Sequence, residues 1–146
     1  MLPGTAAKPA DVLLPRWSDG KDGALDVTVT SPLCQTNLAR AAAEAGSALR
    51  SAFERKVQGA AAACQEQGIT FLPIAAETLG GLHSVAVVQL KRLASALARQ
   101  SGEDEGTTTR QLFQRFSFCL MRGNAVMQVS RSPDGDMLRP EIAGTE

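Results

Sequence analysis

The run Leu25–Thr30, LDVTVT, constrains the fold more than any other stretch of the chain. Leu25, Val27 and Val29 point one way and Asp26, Thr28 and Thr30 the other, the period-two pattern of a strand with one covered face. Val12–Trp17 reads as a second strand, and SDGKDG (18–23) as the turn between them. Two strands joined by so short a turn pair antiparallel. Pro15 cannot donate to a ladder, which places the first strand at a sheet edge.

SPLCQTN (31–37) breaks the second strand and leads into a helix expected over 36–67, ending at Gly68. At about 100° per residue, Leu38, Ala42, Ala45, Leu49, Phe53, Ala60 and Ala63 share one stripe, with Arg40, Glu44, Glu54, Arg55, Gln58 and Gln65 on the far side. Lys56 is the exception, because its spacing from Leu49, Phe53 and Ala60 sets it within the apolar stripe. ITFLPIAAE (69–77) reads as a third, more buried strand. Helices are expected over 82–100 and 107–130. Leu82, Val85, Ala86, Leu90, Leu93 and Leu97 face inward on the first, and Leu112, Phe113, Phe116, Leu120 and Met127 on the second. The order strand, strand, helix, strand, helix, helix implies an α/β domain with a small mixed sheet, the third strand joining in parallel through a right-handed crossover. Residues 9–131 are expected to form this one domain, with 1–8 a disordered lead and 132–146 a disordered tail.

Composition narrows the partners. Fifteen basic residues balance fifteen acidic ones, so no overall basic field announces a nucleic-acid binder. The three cysteines, Cys34, Cys64 and Cys119, are odd in number and lack a C-x-x-C spacing, which points to a reducing, intracellular setting rather than secretion. The N-terminus lacks a basic start followed by an apolar run, and no apolar stretch approaches the roughly 18 residues that cross a membrane.

Three residues depart from the local pattern. Asp11 opens the first strand, Asp26 interrupts the second, and Lys56 sits on an apolar stripe. An ion in such a place needs a partner. Two neighbouring carboxylates repel, a divalent cation relieves that repulsion, and oxygen ligands suit magnesium or manganese. A nearby lysine stabilises an anionic transition state or positions a water. Each residue also has an ordinary reading: Asp11 in water at a strand start, Asp26 on a solvent face with Thr28 and Thr30, and Lys56 burying its stem with its amine at the rim.

PAD…LDVTV followed by a helical lysine resembles the restriction-endonuclease-like fold, the PD-(D/E)XK nucleases, and is similar to the endonuclease domain behind the reverse transcriptase of some non-LTR retrotransposons. The likeness runs from about Pro9 to Gly81. It implies a metal-dependent DNA endonuclease in which Asp11 and Asp26 hold Mg2+ or Mn2+, the Val27 carbonyl is a further ligand, and Lys56 acts in the active site. It also implies a 5′-phosphate and a 3′-hydroxyl as product ends, and a further domain or partner protein to find the DNA. The chain departs from the pattern at Ala10, between Pro9 and Asp11, at Thr28, where the usual lysine stands, and at Ala60, where an aromatic residue often follows the helical lysine.

A symmetric hairpin about 18–23 sets Asp26 opposite Pro15, more than about 10 Å from Asp11; a bulge, a twist or an asymmetric loop could bring the acids together. Two rival readings are a catalytically silent relict of the same fold and a helical protein-interaction domain using the outer face of the last two helices. Outside the trio, His83 is expected to cap a helix or lie at the surface, Glu77 to end a strand, Trp17 to pack in the core, and Glu54 to point about 160° from Lys56.

Overall fold

The computed structural model describes residues 10–131. The expected lead and tail lie outside these residues. The elements follow as β1 (Val12–Ser18), β2 (Lys21–Thr30), α1 (Leu38–Ala43), α2 (Ser47–Glu66), β3 (Thr70–Glu77), α3 (Ser84–Ser101) and α4 (Glu105–Arg131). The domain is mixed α/β, with a three-stranded mixed sheet and four helices among the described residues.

The sheet order is β1-β2-β3, with β1 antiparallel to β2 and β2 parallel to β3. Pro15 therefore lies on an edge strand, as a residue without an N–H requires. β3 follows α2 and pairs with β2 in unbroken register from Gly23↔Thr70 to Thr30↔Glu77, the crossover expected of a strand–helix–strand unit.

The long helix expected over 36–67 is two. α1 stops at Ala43, Glu44 is extended, and Gly46 takes φ 76° immediately before α2. A left-handed residue cannot continue a right-handed helix, and glycine adopts it without steric cost. The break rotates the first half of the expected stripe out of register, so Leu38, Ala42 and Ala45 are exposed while Ala48, Leu49 and Ala52 are buried.

Paired residues of parallel strands share a face, so the alternation of β2 and β3 sorts the sheet into two sides. Leu25, Leu72 and Ile74 meet Ala86 and Leu90 of α3 in the main core, and Leu112, Phe113 and Phe116 of α4 pack against it. The opposite parity, which carries Asp26, faces α2. Trp17 closes the core from β1 with the Arg92 guanidinium 5.6 Å over its ring. This indole is engaged with the core, in line with the packing role expected for it. On α3, Ala86, Leu90, Ala94 and Ala98 are buried and Leu97 is exposed, a small rotation from the expected inward face.

Candidate functional site

The first strand pair has an irregular register, and that irregularity builds the site. Val12 pairs with Leu25, Leu13 with Ala24 and Leu14 with Gly23, but the next pair is Ser18 with Lys21. Pro15, Arg16 and Trp17 thus stand against Asp22 alone, a β-bulge. Arg16 occupies φ 52°, and its N–H donates to Asp22 Oδ1 at 2.8 Å. The turn is also tighter than expected, centred on Asp19 and Gly20, with Lys21–Gly23 already in β2. Together these shift β1 along β2, and Asp11, one step beyond Val12, comes to lie beside Asp26 instead of a distant residue.

Both acids then flank one peptide unit. The Asp11 N–H donates to the Leu25 carbonyl at 3.1 Å, and Asp11 Oδ2 accepts the N–H of Val27 at 2.8 Å. Asp11 remains exposed while its carboxylate extends the ladder where the backbone pairing of β1 ends. In an antiparallel ladder a residue's N–H and C=O project to the same side, so the Val27 carbonyl faces the edge that Asp11 borders.

Asp26 is 8% exposed, under α2 rather than on a solvent face with its neighbouring threonines. Its Oδ2 receives the Lys56 ammonium at 2.8 Å. Lys56 reaches it because the helical spacing that sets it on the apolar stripe of α2 aims it at the sheet. Its side chain is 38% exposed, so the stem is covered and the amine sits at the margin of the helix–sheet interface. Glu54 is exposed and takes no part. Among the described residues this is the ion pair that joins a helix to the sheet; the other, Arg50 with Glu44, lies on the surface.

Two neighbours of the trio are not evident from sequence pattern. Cys64, two turns along α2 from Lys56, is buried, and burial together with the Asp26 charge raises its thiol above its ordinary value. Phe53, one turn before Lys56, stacks on His83 with ring centroids 3.9 Å apart and planes 7° from parallel. His83 Nδ1 accepts the Val85 N–H at 3.3 Å and caps α3, the capping role expected of it. Glu77 ends β3, as expected, and its N–H donates to the Gly81 carbonyl at 2.7 Å.

The contacts described engage one oxygen of each carboxylate. Among the described residues no group of three or more His, Cys, Asp or Glu side chains stands together. The oxygens here that could hold a hard cation are the Asp11 and Asp26 carboxylates and the Val27 carbonyl, donors of the kind magnesium takes. No helix among the described residues is long and apolar enough to cross a membrane. No protein-family model matches the chain, and neither a curated protein nor a solved structure matches it.

Proposed function

We propose that the chain is a metal-dependent endonuclease that hydrolyses phosphodiester bonds of DNA on a restriction-endonuclease-like scaffold of retroelement type. The observation that carries the reading is the 2.8 Å approach of Lys56 to Asp26, beside the peptide that Asp11 also holds. An acid of the central strand pairs with an amine from the crossover helix, and the acid just before the edge strand binds the next peptide N–H of that central strand. None is close to the others in sequence.

Asp11, Asp26 and the Val27 carbonyl would hold Mg2+ or Mn2+. The bound ion would supply charge neutralisation at the phosphate and acidify a water. The chain's own residues do the rest. Asp26 keeps the Lys56 ammonium oriented toward the site, and that ammonium stabilises negative charge developing on the phosphate oxygens. The cover of α2 excludes water from one side of Asp26 and so strengthens the field at the reacting group.

The test is cleavage of plasmid DNA with magnesium by the wild type, Asp26→Ala and Lys56→Ala. Loss of one preorganised charge is expected to slow cleavage about 100-fold or more in each variant. Equal background in all three would overturn the nuclease reading in favour of the silent relict or the helical protein-interaction domain. In that case the Lys56–Asp26 pair would serve only to neutralise a buried acid.

A further inference from the structure

The last helix is apolar on two sides. Leu112, Phe113, Phe116 and Leu120 form its inner stripe, the first three of them against the core. On the outer side, at about 100° per residue, Phe118, Met121, Ala125 and Val129 fall within an arc of about 80°. Phe118 is 67% and Met121 70% exposed, and Ala125 and Val129 are exposed with them. The i, i+3, i+7, i+11 spacing is that of a seam that receives another helix, and Val126, 60% exposed, lies beside it. A shallow depression of about 470 Å³, lined by Arg110, Phe113, Gln114, Ser117, Phe118 and Met121, opens at the head of this seam.

Charge identifies what the seam accepts. α4 carries Arg110, Arg115, Arg122 and Arg131 against the single acid Glu105, and all four arginines are exposed. The neighbouring α3 carries Lys91, Arg92 and Arg99 and no acid. Glu103 and Asp104 lie in the turn before α4, with Asp104 under the influence of Arg110, so the basic excess is local to the helices beyond that turn. A second copy would bring arginines against arginines and be repelled. A duplex would meet arginines but leave Phe118 and Met121 against phosphate.

We propose that the outer face of α4 docks an amphipathic helix of a partner protein, with apolar residues in its seam and Asp or Glu on both flanks. The inference is independent of the Asp26–Lys56 site, which lies on the other face of the sheet. Phe118 and Met121 supply the apolar anchors and the arginines set register and orientation, as in helix-in-groove recognition.

The full chain is used as bait for a displayed library of helical peptides with randomised surface positions, in parallel with Phe118→Ser and an Arg115→Glu, Arg122→Glu variant. The expected winners carry heptad-spaced apolar residues flanked by acids. They are expected to bind Phe118→Ser at least about tenfold more weakly, to prefer basic flanks on the charge-reversed bait, and to weaken as salt rises. Winners without acidic flanks, or equal recovery on Phe118→Ser, would overturn the proposal. So would a wild-type dimer in sedimentation that Phe118→Ser dissolves, or binding of duplex DNA or anionic phospholipid vesicles with no peptide enrichment. Circular dichroism distinguishes a lost surface from a lost fold. Replacing Asp134, Asp136 and Glu141 with Ser and finding tenfold tighter peptide binding would instead assign the face to the chain's own C-terminal residues.

Discussion

The carboxylate of Asp11 accepts the amide of Val27 at 2.8 Å across 16 residues of sequence, and that amide belongs to the peptide that Asp26 begins. The acids are therefore positioned by one backbone unit of the central strand. Lys56 then reaches one of them from the helix above.

Removing the amine exposes the cost of the acid it serves. Lys56→Met leaves a nearly buried carboxylate without its partner. It is expected to lower stability by about 1–2 kcal/mol, less than for a fully buried pair because Lys56 itself is partly solvated. Combining it with Asp26→Leu removes both charges and is expected to recover most of that loss. Urea denaturation of the two variants decides: a double variant less stable than the single one would show that the pair stabilises beyond mutual neutralisation.

The bulge is the device that sets the register. Arg16→Pro is incompatible with φ 52° and deletes the N–H that Asp22 accepts. It is expected to cost about 3 kcal/mol or more and to abolish the Asp11–Val27 bond. Asp22→Ala, which loses only the hydrogen bond, is expected to cost about 1 kcal/mol. The amide proton of Val27 reports both: its exchange is expected to accelerate strongly in the first variant. Unchanged protection there would mean that β1 finds its register without the bulge.

Gly23 lies where three elements close on one another. A Cβ there would stand 2.9 Å from Leu72 Cδ1 and 2.9 Å from Trp17 Cγ. Gly23→Ala is expected to destabilise by about 1–3 kcal/mol through overpacking. Leu72→Ala opens space at the same point, and in that background the added methyl is expected to cost less. Additive losses in thermal unfolding would contradict this coupling.

The cysteines are expected to separate by pH. The Thr36 hydroxyl beside Cys34 lowers its thiol below the ordinary 9.0, so its reactive thiolate forms at lower pH. Burial, and then the Asp26 charge, raise Cys64 above the same value, so its thiolate forms only at higher pH. Alkylation followed by mass spectrometry is expected to label Cys34 and the exposed Cys119 readily at neutral pH, with Cys64 modified only slowly, as the helix–sheet interface opens. Asp26→Asn removes the charge that opposes the Cys64 thiolate and is expected to shift its labelling profile to lower pH. An unshifted profile would show that burial alone controls this thiol.

Local chemistry alone determined much of this protein. Alternation announced β2, the crossover pattern made β3 parallel, Pro15 placed β1 at the edge, and helical spacing turned Lys56 toward the sheet, because each depends on periods of a few residues. The inner stripe of α4 was legible in the same way, with Leu112, Phe113 and Phe116 against the core, although Met127 at its far end is exposed. The break at Gly46 leaves no mark in the pattern, because the apolar spacing continues on both sides of it. The bond from the Val27 amide, which follows Asp26, to the Asp11 carboxylate was decided only by tertiary structure. It depends on a bulge with a left-handed arginine held by Asp22, and on a turn of two residues, Asp19 and Gly20, where 18–23 was expected. Register in a hairpin is a difference between whole ladders of contacts, and the packing of Trp17, Gly23 and Leu72 selects among them.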